Sequence, residues 1–177
     1  MNATNSRIVA LLSAIVVAAV LRLVPHPANF TPIGAMALFS GAYLGRRGLA
    51  FAAPLGAMVL SDAVLGFYSG FWITYVAVAL IVAVGFLALS RVSVLRIAGA
   101  AIASSVLFFL VSNFGTWAAS GMYPHTLAGL SACYVAAVPF FQNTVAGDLF
   151  YAALLFGGFR VAELTMPKLR VGQAQPA

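Results

Sequence analysis

The sequence predicts an all-α fold, a polytopic membrane bundle of six transmembrane helices. Composition is the first observation: 63% of the 177 residues are hydrophobic, 7% are charged, and the mean hydropathy is +1.06. Soluble domains carry about 25% charged residues. The second observation is a series of apolar runs, most of them close to the roughly 20 residues that cross a bilayer. The third is the one-sided placement of basic residues between those runs, which is typical of cytoplasmic loops.

The apolar runs give the order of the predicted spans. The first run follows Arg7, and this order resembles a signal peptide. The run reaches Arg22 without a convincing small-residue cleavage site, so we interpret it as a retained span. The second is short and is expected to be tilted, extended or sunk among its neighbours. Residues 1–170 are predicted to form one transmembrane domain and 171–177 a polar cytoplasmic tail. The six spans are Ile8–Val24, Thr31–Leu44, Leu49–Gly66, Trp72–Leu89, Ile97–Phe114 and Val145–Val161.

A further apolar segment, Leu127–Phe141, is short for a span and contains Pro139. The basic residues decide whether it crosses. With six spans and the N-terminus inside, only Arg22 lies outside, and eight of the nine basic residues face the cytoplasm: Arg7, Arg46, Arg47, Arg91, Arg96, Arg160, Lys168 and Arg170. A seventh crossing would reduce this to five against four. The positive-inside rule therefore favours six spans with both termini inside, and residues 127–141 as an external or re-entrant helix shielded from lipid by protein.

Polar side chains gather at the predicted outer ends of the spans. Ionisable groups inside a bilayer are costly and mark functional sites. Asp62 and Asp148 are predicted at the same depth on different helices, which indicates a shared outward-facing cavity. The predicted substrate-binding residues are His26, Asn29, Asp62, Tyr68, Asn113, Trp117, His125, Asn143 and Asp148.

Structural roles stay open for several of these residues. Asp148 would also suit the N-terminus of the sixth helix, where an anion is favoured. Asp62 would also pair with Arg22, the one basic residue on its side. Trp117 and Tyr68 would also fit an aromatic belt at the membrane interface, although together such residues suit a flat, partly apolar ligand.

The first span carries Ala10, Ala14 and Ala18 at a spacing of four. Residues four apart share one helix face, so these three predict a smooth stripe for a partner helix. Alanine is abundant in this chain, so chance spacing is the alternative.

The sequence lacks the motifs of several functional classes. There is no GxxxxGK[ST] loop, and Lys168 is the only lysine, so the chain is not expected to hydrolyse ATP. HExxH and GxSxG are absent, and we predict neither an enzyme nor a bound cofactor or metal. Lone Cys133 excludes an internal disulfide and a multi-cysteine metal site. The scattered basic residues cannot follow a phosphate backbone, which excludes nucleic acid.

Five phrases together resemble a family of small bacterial membrane proteins that are regarded as substrate-binding (S) components of energy-coupling-factor (ECF) transporters. They are PHPANFTPIGAMALFSGAYLG, LSDAVLGFYSG, SNFGTW, YPHT and PFFQNTVAGDLFYAALLF. The resemblance extends from about Arg22 to Phe159.

The resemblance implies a multi-pass protein of the bacterial inner membrane that captures a vitamin-class molecule from the outer side. It implies six helices, an outward cavity roofed by loops, and an alanine stripe that meets a transmembrane coupling subunit joined to ATPase subunits. A related solitary type binds cobalamin through a cysteine near the third external loop. Here Cys133 lies much later, so a corrinoid is the leading expectation for the ligand but His26 would have to replace the thiolate. The alternative function is a non-transporting membrane scaffold or assembly factor.

Overall fold

A computed structural model describes residues 3–44, 47–67 and 70–170, without the side chains of residues 3 and 47. These residues form six α-helices and no strand. The helices are α1 (Ala3–Leu21), α2 (Ile33–Tyr43), α3 (Arg47–Leu65), α4 (Phe71–Ala88), α5 (Val94–Ala119) and α6 (Leu127–Thr165), followed by a 3₁₀ turn at Pro167–Leu169. All except α2 are long and apolar enough to cross a membrane. The predicted class, a helical membrane bundle, is confirmed.

The second helix, α2, is the centre of the bundle. It has 11 residues, about 16 Å at 1.5 Å per residue, which is too short to cross a hydrocarbon core of about 30 Å. Nine of its residues are buried among the other helices. At its closest approach to α4, a side chain on Gly41 would overlap the backbone at Val82, and one on Gly85 would overlap the backbone at Leu38. Of the three arrangements expected for the second span, the structure shows the one in which it is sunk among its neighbours.

The last helix, α6, corrects one prediction. It runs without interruption through 39 residues and contains Pro139, so a separate external or re-entrant helix over 127–141 is wrong. Proline removes one helical hydrogen bond, but neighbouring helices can hold such a helix together. Here Tyr134 Oη donates to Leu110 O of α5 at 2.7 Å, just before the proline. At about 58 Å, α6 is nearly twice as long as the hydrocarbon core is thick, so part of it must extend beyond the core.

Both ends of the described chain meet at one end of the bundle. Arg7 near the start of α1 lies 2.6 Å from Glu163 near the end of α6, and its Nη1 donates to Leu169 O. Its guanidinium also lies over the rings of Tyr43 and Phe159, 5.6 and 4.9 Å from their centroids. A groove at this end joins Tyr43 to Ser93 and Arg160, which brings the turn between α4 and α5 to the same end. We call this the basic end, because Arg7, Arg91, Arg96, Arg160, Lys168 and Arg170 lie there or in its adjoining turns.

Large apolar side chains are exposed around the outside of the bundle, among them Leu60, Val64, Leu87 and Phe150. A soluble monomer rarely exposes so extensive an apolar surface. The exterior therefore fits a lipid environment.

Candidate ligand-binding site

A cavity of about 680 Å³ lies at the end of the bundle opposite the basic end. Its rim is the exposed chain after α1, at Leu23, Val24 and Pro25, and the most buried polar side chain of its lining is Asp148, which is 3% exposed. The walls come from α5 and α6, with apolar faces from Phe108, Phe109, Ala137 and Phe140. The polar lining consists of Arg22, His26, Asn29, Thr31, Thr74, Ser112, Asn113, Thr116, Thr144 and Asp148.

Asp148 joins three helices at the floor of the cavity. Its Oδ2 lies 2.6 Å from Ser105 Oγ on α5, and the backbone N–H of Ala35 on α2 hydrogen-bonds its carboxylate. The carboxylate fits against Gly34, where any side chain would overlap it. Asp148 is the twenty-second residue of α6, which starts at Leu127. The alternative in which it caps its own helix is therefore wrong, and it interacts with the first turn of α2 instead.

The loop between α1 and α2 roofs the cavity. His26 Nδ1 lies 2.9 Å from Pro27 O, and Asn29 has a positive φ of 62°, a conformation that asparagine tolerates better than most residues. Hydrogen-bond and ring contacts hold this loop against α6. Asn143 Nδ2 donates to Ala28 O at 2.9 Å, and the Phe30 ring lies 5.6 Å from that of Tyr151.

Asp62 lies outside the cavity lining and forms a buried network beside it. Its Oδ1 is 2.6 Å from Arg22 Nη1, and Tyr75 Oη donates to its Oδ2 at 2.7 Å. The same Arg22 nitrogen donates to Ser61 Oγ at 2.5 Å, whose hydroxyl is 3.0 Å from Met58 O. The alternative of an Arg22–Asp62 pair is thus confirmed, and the prediction of one cavity shared by Asp62 and Asp148 is wrong. Arg22 belongs both to this network and to the cavity lining.

The other predicted site residues divide into two groups. His26, Asn29, Asn113 and Asp148 line the cavity. Trp117, His125 and Asn143 do not, and their contacts are structural: Trp117 Nε1 donates to Pro124 O at 3.0 Å, and its ring lies 5.4 Å from that of His125. These contacts hold the connection between α5 and α6 in place. Tyr68 lies outside the described residues, as do Arg46 and the tail over 171–177.

The predicted stripe lies on one side of a groove between α1 and α6. Ala10, Ala14 and Ala18 all line this groove of about 820 Å³, and Gly158 and Ala162 lie on the α6 side. Ala18 is already buried within the chain. The stripe is therefore partly covered by the protein itself, and its role as a partner interface stays a prediction.

Sequence reasoning missed the hydroxyl groups of the cavity. Ser112 and Thr116 are four residues apart on α5, and Thr144 and Asp148 are four apart on α6, so each pair shares one helix face. This spacing is a signal that the sequence contains. In the described part of the chain, no three histidine, cysteine or acidic side chains come close enough to hold a metal ion.

Comparison with known proteins gives a family and nothing more specific. Neither the curated proteins nor the solved structures include a significant match to this chain. A family model matches residues 2–169, nearly the whole sequence. The chain therefore belongs to DUF6580, a family of unknown function.

Proposed function

We propose that this protein is a substrate-binding membrane component of the ECF type, which captures a small, vitamin-class molecule in the cavity above Asp148 for uptake. The observation that carries the proposal is the cavity itself. Its volume of about 680 Å³ lies within the range of about 300–1,000 Å³ that is usual for small-molecule sites. Its lining combines phenylalanine faces with ten polar side chains, and polar groups that converge on a pocket fix the orientation of a ligand.

The position of the cavity supports capture from outside the cell. It lies opposite the basic end, and basic residues mark the cytoplasmic side of membrane proteins. Arg22, the one basic residue on the lining, is neutralised by Asp62 at 2.6 Å. In this orientation the rim at Leu23–Pro25 faces the exterior of a bacterial inner membrane.

The size of the cavity bears on the choice of ligand. A corrinoid is among the largest vitamins, so a cavity of about 680 Å³ would enclose it only in part. Smaller heterocyclic vitamins are therefore candidate ligands in addition to cyanocobalamin.

The groove between α1 and α6 favours a second element of the proposal, a partner helix. Its lining includes alanine and glycine on both helices, at Ala10, Ala14 and Ala18 on α1 and at Gly158 and Ala162 on α6, among larger apolar side chains. Small residues let helix backbones approach closely. A coupling subunit would use this surface in a transporter, and a scaffold protein would use it without a ligand. The two functions differ in whether the cavity binds anything.

Thermal unfolding of the purified protein against a panel of vitamins tests the proposal. A ligand specific for the folded state stabilises it by RT ln(1 + [L]/Kd), about 2.7 kcal/mol at a hundredfold excess over Kd. One compound is expected to raise the unfolding temperature, and Ala137→Phe, which fills the cavity, should abolish the rise. Ala136→Phe is the matched control because Ala136 is exposed and outside the lining. A flat response across the panel would favour the scaffold.

A further inference from the structure

Three hydroxyl groups of the cavity lining donate their hydrogens to backbone carbonyls of their own helices. Ser112 Oγ donates to Phe108 O at 2.7 Å, and Thr116 Oγ1 donates to Ser112 O at 3.0 Å. On α6, Thr144 Oγ1 donates to Phe140 O at 3.1 Å. A hydroxyl has one hydrogen and two acceptor lone pairs. Each of these oxygens therefore offers a ligand an acceptor rather than a donor.

The Asn113 amide and the His26 imidazole add further acceptors to the lining. Asn113 Nδ2 donates one of its two hydrogens to Phe109 O at 2.8 Å, so this side chain offers a ligand the acceptor Oδ1 and one further N–H. His26 Nδ1 lies 2.9 Å from Pro27 O, and a carbonyl oxygen only accepts, so the hydrogen belongs on Nδ1. In the neutral ring, Nε2 is then an acceptor. A molecule bound here meets several acceptors from three separate segments.

The distribution of charge around the cavity also favours a ligand that carries positive charge. Arg22 is balanced by Asp62 at 2.6 Å, whereas Asp148 has no ion pair among the described residues. Its polar contacts are the Ser105 hydroxyl and the Ala35 N–H, which carry no full charge. The floor of the cavity is thus a buried acidic group without a basic partner.

We infer that the cavity binds a small organic cation that carries N–H donors on or beside a flat ring. The acceptors around the wall receive its hydrogens, and the buried acidic group offsets its charge. The faces of Phe108, Phe109 and Phe140 attract a flat cation through their π-electrons. This inference rests on the proposed function, because it names the class of molecule for the same cavity.

Three probes of one shape separate the possibilities: benzamidine, benzamide and benzoate. They share a phenyl ring and differ in charge from positive through neutral to negative, and in the number of N–H donors. Calorimetric titration of the protein in nanodiscs at neutral pH should give benzamidine a Kd about tenfold lower than that of benzamide, with benzoate weakest. Asp148→Asn should remove most of this preference. Glu163→Gln removes an acidic group at the basic end and should leave the preference intact.

The acceptor groups can be tested without touching Asp148. Thr144→Val and Ser112→Ala each remove one hydroxyl acceptor and should weaken benzamidine binding several-fold, which also covers the case that Asp148→Asn does not fold. Equal or tighter binding of benzamide or benzoate would overturn the inference and leave the proposed function standing. If none of the three binds, an anionic or neutral compound found in the vitamin panel would overturn it as well. If none of the three probes and no compound of the vitamin panel binds, both proposals are overturned together.

Discussion

The carboxylate of Asp148 lies against Gly34, in a space that exists only because residue 34 has no side chain. The first turn of α2 follows Pro32, which provides no side-chain cap. The N-terminus of a helix carries partial positive charge, and the N–H of Ala35 there hydrogen-bonds the Asp148 carboxylate. A residue of α6 thus supplies the cap that α2 lacks, and this contact fixes the short central helix beneath the cavity.

Gly34→Ala should therefore destabilise the fold and impair ligand binding. The added methyl would overlap the Asp148 carboxylate, and overpacking of this kind costs about 1–3 kcal/mol. Thermal unfolding in detergent measures the loss. Gly56→Ala on α3 is the matched control, because its methyl meets nothing within 4 Å, and alanine in a helix gains up to about 1 kcal/mol over glycine. Equal unfolding temperatures for the two variants would contradict this account of Gly34.

Ser104 and Ser105 are neighbours on α5 that should respond in opposite ways to alanine. Both are 0% exposed, but Ser105 Oγ lies 2.6 Å from Asp148 Oδ2, and Ser104 Oγ has no hydrogen-bond partner among the described residues. Loss of a buried partner costs about 1–3 kcal/mol, whereas removal of an unsatisfied polar group is neutral or stabilising. Ser105→Ala should thus unfold at a lower temperature and Ser104→Ala at the same or a higher one. A larger loss for Ser104→Ala would show that its hydroxyl has a partner.

Removing one partner of the Arg22–Asp62 pair should destabilise the fold more than removing both charges. Asp62 is 1% exposed, and Arg22→Leu would leave its charge buried without compensation, which costs about 3–5 kcal/mol. The double variant Arg22→Leu with Asp62→Asn removes both charges and retains an acceptor for the Tyr75 hydroxyl. Denaturant or thermal unfolding should rank the double variant as more stable than Arg22→Leu alone. The opposite order would mean that Arg22 acts mainly through contacts other than Asp62.

Composition and loop charge predicted the class of fold because both report on the solvent around each segment. The same signals say little about how a helix is rotated. Helix α6 is apolar on most of its faces, so its sequence does not show that Asp148 points to α2, and no local pattern connects Gly34 with a residue 114 positions later. Contacts of this kind depend on the packing of several helices at once.

The error at Pro139 has a different origin. A local rule about proline predicted a break, whereas α6 continues through Pro139 and contacts α5, where Tyr134 Oη donates to Leu110 O. Within the site, four predicted residues line the cavity (His26, Asn29, Asn113 and Asp148), whereas Asp62, Trp117, His125 and Asn143 do not. The hydroxyls of Ser112, Thr116 and Thr144 were missed because serine and threonine are common in membrane helices for other reasons. Their back-bonded hydroxyls fit an apolar span as easily as a cavity.

The orientation of the bundle can be tested with single cysteines. Cys133 is buried, and Cys133→Ala provides a background without thiols. In that background, Ala28→Cys in the loop above the cavity should react with a membrane-impermeant maleimide added to intact cells, because the cavity is predicted to open outward. Lys168→Cys near the basic end is exposed and should react only after the cells are permeabilised. Labelling in the reverse pattern would place the cavity on the cytoplasmic side and refute capture from outside. Labelling of both cysteines in intact cells would contradict the expectation that residues 28 and 168 lie on opposite sides of the membrane.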